Sequence, residues 1–255
     1  MIDVRSLSFA YGTSKVLCGL SFDIEEGGLT ALLGSNGAGK TTLFRCMLGL
    51  LPGYEGSLTL DGKEIRRYGA RELSRRIAWI PQSQSLTFNY PAFDMVLMGT
   101  AGQMGPFSSP GKRQRRAAME AMERLGIAHL AKRGFLHLSG GERQLVLVAR
   151  ALAQQAKTLL MDEPCASLDF GNQSRVMAQA HDLAHGGYTV IMSTHHPQHA
   201  LSYADRVIAL SGGRLLRSGA PEKVMDEELM RSLYGIETAF LDSPMGRIVV
   251  AGRPA

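Results

Sequence analysis

Apolar and polar positions alternate at the start of the chain, where Ile2, Val4, Leu7 and Phe9 sit among polar neighbours. That period predicts a half-buried strand. A turn is expected at Tyr11-Gly12, then a second strand from Val16 to Ile24. Leu29 to Leu33 is a short apolar run that meets a glycine-rich loop at once. A helix is expected from Lys40, with Leu43, Met47 and Leu48 on one face. Ser57 to Leu60 followed by Asp61-Gly62 reads as a hairpin. Ile77 to Ile80 is another buried strand, ended by Pro81.

The pattern then changes. From Ser83 to Ala156 it is helical, with few β-branched runs. Ser109-Pro110 predicts a helix start, a capping hydroxyl followed by proline at the first helical position. Leu145, Val148, Ala149 and Leu152 form one stripe along Gly141–Ala153. Beyond it strand and helix alternate again: Thr158 to Met161, Asn172 to His185, Tyr188 to Met192. The tail adds strands at Val207–Leu210 and Arg214–Arg217, a helix near Glu227–Tyr234 and an edge strand at Ile248–Val250. Alternation of this kind predicts an α/β fold with a parallel sheet and crossover helices.

Composition narrows the picture little. The 255 residues carry a formal charge of +5 and are 45% hydrophobic, without repeats or low-complexity stretches. Such mild basicity fits an anionic partner or none. Lys112, Arg113, Arg115 and Arg116 concentrate four cations in five residues, read as a solvated face, with anionic lipid headgroups as the next choice. Cys18, Cys46 and Cys165 are far apart, without metal-ligand or redox spacing, and Cys18 and Cys46 are expected in the core. No signal peptide is visible, and no apolar run approaches the ~20 residues that cross a bilayer.

The strongest chemical signal is Gly34-Ser35-Asn36-Gly37-Ala38-Gly39-Lys40-Thr41-Thr42, between a buried strand and a helix. It fits the P-loop pattern. The glycines let backbone N–H groups turn inward toward phosphate oxygens, and the helix N-terminus adds positive field. Lys40 is expected on the β- and γ-phosphates and the Thr41 hydroxyl on magnesium. A second constellation is Leu159-Leu160-Met161-Asp162-Glu163, a buried strand ending in two acids. Strand ends are where open α/β sheets bind ligands. Asp162 would hold magnesium through water, and Glu163 would act as general base on the attacking water. A third is Leu138-Ser139-Gly140-Gly141-Glu142, which by itself reads as a capped helix start with open amides.

The order of these elements, P-loop, Gln82, LSGGE, LLMDE, Ser167-Leu168-Asp169 and His195, resembles the ATP-binding-cassette (ABC) ATPases over essentially the whole chain. The resemblance implies a RecA-like P-loop NTPase core (1–82 and 157–255) with an N-terminal antiparallel β subdomain and an inserted helical subdomain (83–156). It implies ATP and Mg2+ as cofactors. Tyr11 matches the aromatic that stacks on adenine. Gln82 matches the glutamine on magnesium and the attacking water. Ser139, Gly140 and Gly141 match the signature that closes on the γ-phosphate of a partner subunit. Asp169 matches the loop crossing the dimer interface, and His195 the switch histidine beside Glu163 and γ-phosphate. His196 and His199 are read as bland neighbours. An extended segment would keep His195 and His196 from facing one site. With one P-loop and one signature per chain, hydrolysis is expected to need a second copy.

Several stretches, LSGGERQLVLVARALAQ, DEPCASLDFGNQ, STHHPQHAL and LYGI, are similar to the subgroup serving iron-chelate, haem and cobalamin uptake. That implies a motor subunit peripheral to the cytoplasmic face of the membrane, with integral permease subunits and a substrate-binding protein as partners and no nucleic acid. An exporter's motor shares every one of these motifs, and a soluble assembly or repair ATPase shares most; both remain alternatives here. Cys165 stands where the family usually carries a small hydroxyl residue. By family analogy, Phe88, Tyr90, Pro91, Phe93 and Met95, within 83–99, line the groove that receives a permease helix. The competing reading makes them the core of the lobe.

Overall fold

The computed structural model describes residues 1–82, 88–105 and 108–252. Strands β1 (Ile2–Tyr11) and β2 (Ser14–Ile24) open the chain, followed by β3 (Leu29–Leu33) and helix α1 (Lys40–Met47). Next come β4 (Glu55–Leu60), β5 (Lys63–Glu64), α2 (Ala70–Ser74) and β6 (Ile77–Ile80). Among the described residues, three α-helices then intervene: α3 (Ala92–Leu97), α4 (Lys112–Arg124) and α5 (Gly140–Ala153). The chain returns through β7 (Thr158–Asp162), α6 (Phe170–His185), β8 (Thr189–Thr194), α7 (Pro197–Tyr203), β9 (Arg206–Ser211) and β10 (Arg214–Gly219). It finishes with α8 (Pro221–Val224), α9 (Glu227–Tyr234), β11 (Thr238–Ser243) and β12 (Gly246–Ala251). Among the described residues no helix is long and apolar enough to cross a membrane.

The main sheet has the order β10-β9-β3-β8-β7-β6. Its strands run parallel except β10, which folds back antiparallel on β9. Both faces are covered over its central strands β3, β8 and β7, which therefore read as continuous buried runs. The two-residue period then sorts each strand between cores. Leu32, Leu160, Ile191 and Ile208 face one core, shared with Leu43, Phe44 and Met47 of α1 and with the inner residues of β1, β2 and β4. Helix α1 is thus held between the main sheet and an antiparallel sheet of order β2-β1-β4-β5. The β4–β5 hairpin turns on Asp61-Gly62, both at positive φ (51° and 75°), as a two-residue turn of this hand requires.

Leu159, Met161, Val190 and Met192 face the opposite core, which continues into α3, α4, α5 and α6. A third cluster joins Ala31, Leu33, Val207 and Ala209 to Leu229, Met230 and Leu233 of α9. This is the RecA-like P-loop NTPase core with an N-terminal β subdomain and an inserted helical subdomain. The insertion leaves from β6 and returns at β7, two strands that pair side by side.

Several details differ from the pattern-based expectations. Helix α4 begins at Lys112, not at Ser109-Pro110; Gln114 reaches back to the Gly111 N–H (3.2 Å) and closes the first turn there. Helix α5 is buried well beyond one stripe, with Val146, Leu147 and Ala151 inside and Leu145 half-buried, because lobe helices and core both pack on it. The last strand is no edge of the main sheet but half of a separate β11–β12 hairpin. Cys18 faces the partly exposed side of β2, whereas Cys46 and Cys165 are buried, and burial pushes both thiols up to about 12.

Candidate functional site

The glycine-rich loop joins β3 to α1. Gly34 N donates to Thr194 O (3.2 Å), which anchors the loop's start to the end of β8. A side chain at Gly34 would put its Cβ 2.4 Å from Leu210 O, so the backbone passes where only glycine fits. Gly39, at φ 98°, is the N-cap of α1, and a Cβ there would meet Leu17 Cδ2 at 2.8 Å. It brings no side-chain oxygen to occupy the helix's first N–H groups, and the first turn holds no acidic residue. Those donors are open to an anion, which the helix field favours.

Lys40 is only 5% exposed, a burial that an ammonium tolerates only with partners. Its Nζ donates to Gly34 O (2.7 Å) and Ser35 O (3.0 Å) and lies 3.3 Å from Glu163 Oε1. Gly34, Ser35, Gly37, Gly39 and Lys40 therefore form one cradle around the start of α1.

Strand β7 delivers the two acids. Asp162 is the last residue of the strand and is buried. Glu163 leaves the strand with a left-handed φ of 45°, uncommon for a residue with a side chain. The kink aims its carboxylate back toward the loop. Oε1 takes Lys40, while Oε2 accepts from Gln82 Nε2 (3.3 Å) and lies 3.1 Å from His195 Nδ1. Gln82 comes from the end of β6 and His195 from the end of β8, so two strand ends and the start of α1 converge on one carboxylate.

Sequence reasoning singled out neither Val16 nor Ser193. Val16 lines the cleft from β2. The Ser193 hydroxyl accepts from Glu163 N (2.9 Å) and donates to Asp162 Oδ1 (2.6 Å). A small hydroxyl residue in the last two positions of an apolar strand, two before His195, was the available signal.

The cleft formed by these elements encloses about 330 Å³ and is lined by Val16, Asn36 to Thr42, Gln82 and Glu163. Its glycine cradle, open amides and buried lysine fit a chain of phosphates. The Thr41 hydroxyl, Asp162 and Gln82 are oxygen donors of the kind Mg2+ takes alongside phosphate oxygens.

Gly34, Ser35, Asp162 and His195 stand behind that lining, tied to it through Lys40, Ser193 and Glu163, whereas Tyr11, Ser139, Gly140, Gly141 and Asp169 neither line the cleft nor bond to those residues. Tyr11 is half-exposed, packs edge-on against Phe9 at 5.0 Å and accepts from Arg45 of α1 (3.4 Å). Ser139 caps α5: Glu142 N donates to its hydroxyl (3.2 Å), and Ser139 N donates to Glu142 Oε2 (2.7 Å). The Ser139 N–H, with Arg133 beside it, holds the Glu142 carboxyl below its usual range. A Cβ on Gly141 would lie 2.2 Å from Asn172 Oδ1, so this helix start abuts α6. Asp169 caps α6, accepting from Asn172 N (2.9 Å) and Nδ2 (2.6 Å), and these bonds lower its carboxyl. The signature and Asp169 are therefore neighbours through Asn172.

The histidines correct one expectation. The rings of His195 and His196 lie 4.1 Å apart, and that of His199 is 5.0 Å from His196. Strand alternation does not separate them because β8 ends at Thr194 and His196 already caps α7. His199 is half-buried, and burial, with the neighbouring histidines, pushes its imidazole down to about 4.

The expected groove splits in two. Phe88 and Tyr90 are exposed, Phe93 is half-buried against the lobe core and Met95 is inside it; residues 83–87 lie outside the described residues. Lys112, Arg113, Arg115 and Arg116 all face solvent, Arg116 pairing with Glu120 one turn on (2.8 Å).

The chain is also similar to known proteins over most of its length. The family model described as "ABC transporter" matches residues 17–166. The hemin import ATP-binding protein HmuV of Bordetella pertussis is 36% identical, with 99% of each chain covered. The manganese transport system ATP-binding protein MntB of Listeria innocua is 34% identical over 92% of this chain and 96% of its own. A solved structure of a metal-chelate type ABC transporter in an inward-facing conformation superposes with a TM-score of 0.88 at 31% identity, covering 99% of this chain and 97% of that one.

Proposed function

Because the chain belongs to the ABC transporter family of ATP-binding subunits, we propose that it is the ATP-hydrolysing motor of a membrane importer carrying a metal ion or metal complex. The observation that carries the enzymatic part is the convergence of Lys40, Gln82 and His195 on Glu163 beside the glycine cradle. In this reading residues 34–42 hold the phosphates of ATP, and Tyr11 meets the adenine at the open side of the loop. The Thr41 hydroxyl, Asp162 and Gln82 would hold Mg2+, which would supply positive charge against the phosphate oxygens. Glu163 takes the proton of the attacking water. His195 fixes the carboxylate's orientation through its second oxygen, and Gln82 orients the water. Residues 1–82 and 157–255 act as the body and 83–156 as the lobe.

The signature at Ser139 to Gly141 and the neighbouring Asp169 have their place on a second copy. Their bonds run only to their own helix starts and not to the phosphate cradle, so a partner's α5 start would close over the bound γ-phosphate, and the reverse. Such a pair is closed by two ATPs and reopens after hydrolysis, which is the stroke handed to the permease. Phe88 and Tyr90, exposed at the edge of the lobe, offer the aromatic contact for a permease helix.

Relatives of similar identity carry out hemin import and manganese transport. The cargo class common to them is a metal or its complex, and a substrate-binding protein that delivers it to the permease belongs to the same reading. The tagged chain should co-purify with a polytopic permease from mild-detergent membranes, and the complex should show Mg2+-dependent ATPase activity. Recovery of soluble partners alone would replace the transport reading with that of an assembly ATPase and leave the ATPase in place.

A further inference from the structure

Resting on that reading, we infer that Ser193 is a positioning residue for ATP hydrolysis, the group that sets both the general base and the metal-holding acid. Ser193 is completely buried. It sits on β8 directly beside Asp162 of β7 in the parallel register. Its one hydroxyl does two jobs at once. It donates to Asp162 Oδ1 at 2.6 Å and accepts the Glu163 N–H at 2.9 Å.

The direction of these bonds matters. A backbone N–H can only donate and an ionised carboxylate can only accept, so the hydroxyl proton has one place to go, and the orientation is unique. With Oδ1 committed to Ser193, Asp162 has Oδ2 for Mg2+ and its water. A carboxylate tethered in this way keeps its aim when a metal arrives.

The second bond bears on the base. Glu163 stands at φ 45°, where a side chain is disfavoured, and such a conformation persists only when its surroundings over-determine it. Two bonds close the kink: Ala166 N to Glu163 O (3.0 Å) on one side, and the Ser193 hydroxyl on the other. Without the kink the Glu163 carboxylate would not turn toward Lys40, Gln82 and His195. The next residues of β8 act on the same site, since Thr194 O accepts from Gly34 N and Thr194 Oγ1 from His196 N. The end of β8 thus holds the loop, both acids and the start of α7 in one frame, and Ser193 is its link to the acids.

The bland alternative is a core serine that is merely satisfied, whose loss would lower stability and nothing else. Ser193→Ala and Ser193→Thr chains separate the two. The readouts are kcat and KM for ATP, melting temperature, and fluorescent-ATP affinity with EDTA and across a Mg2+ titration. Ser193→Ala is expected to lower kcat by about 10–100-fold and to raise the half-saturating Mg2+ concentration about tenfold. Nucleotide affinity in EDTA should stay within about twofold, and Ser193→Thr, which restores the hydroxyl, should recover both losses. If Ser193→Ala does not fold, Ser193→Cys, a weaker donor of similar size, is measured the same way. Unmodified kcat and Mg2+ dependence in the folded variant would overturn the inference. So would a loss of kcat that follows thermal stability alone and disappears at a temperature where the variant is fully folded. An unmodified chain without Mg2+-dependent hydrolysis would instead remove the ATPase reading itself, visible before any variant is compared.

Discussion

Glu163 has only two carboxylate oxygens, and Lys40, Gln82 and His195 occupy them from three separate stretches of chain. Lys40, Asp162 and Glu163 stood out from local signatures, a P-loop between strand and helix and two acids at a strand end, whereas Gln82 and His195 were picked out only through the family resemblance. What local signatures do not carry is register. Ser193 became visible only when β7 and β8 were laid side by side, since its partners are 30 and 31 positions away. The same limit misplaced His196, whose ring follows the end of β8 and not its alternation. His199 yields a pH test. Its imidazole is held near 4 in the folded chain against 6.5 when free, because burial penalises the charged form. The unfolded chain therefore takes up the proton first as pH falls. This contribution to stability is complete above about 6.5 and is lost progressively between about 6.5 and 4. Melting temperature measured across that window should fall less steeply for His199→Gln than for the unmodified chain. Parallel curves would show that His199 titrates alike in both states.

Elements in which burial and period agree were readable in advance: β1, β3, β7 and α9 lie where the apolar pattern put them. The exceptions have physical causes. Helix α7, seven residues with Pro197 in its first turn, buries only Ala200 and leaves no stripe to detect. Strand β11 has no fully buried side chain, so its alternation is faint. It is held instead by its hairpin partner and by the Gln198 side chain on α7, which bonds Arg247 O (3.2 Å) and Val249 N (2.9 Å) of β12. Helix α3 and the residues before it separate surface from core within six positions, which permits a paired test. Met95→Ser removes a fully buried side chain and should cost about 2–5 kcal/mol, lowering the melting temperature with or without a permease. Tyr90→Ser, at a side chain 39% exposed, should leave melting and ATP binding unchanged and abolish permease co-purification. Retained co-purification would move the docking surface elsewhere on the lobe.

At the scale of the molecule, the fold class was readable from alternation, whereas strand order was not. Nothing in the pattern says that β3 lies between β8 and β9. The separation of the signature from the chain's own cleft gives the assembly prediction. Glu163→Gln, with ATP binding intact and turnover lowered roughly 10²–10⁴-fold, should trap a Mg2+-ATP-dependent dimer. Size-exclusion chromatography should then show a monomer without nucleotide and twice that mass with it. A monomer under both conditions would count against the two-copy site.

The sheet order also sets a clock for biosynthesis. The strand that launches the phosphate loop is made early, but its neighbours are not. Gly27 N bonds Thr189 Oγ1 across 162 residues and Leu29 N bonds Asp205 Oδ2 across 176. At ~5–20 residues per second, a ribosome needs roughly 8–35 s to supply them. Through that interval the nascent chain carries an unpaired apolar strand and a half-built loop, and the whole inserted lobe is synthesised before the sheet around β3 can close. Nucleotide capture is therefore a late event in the life of each new chain.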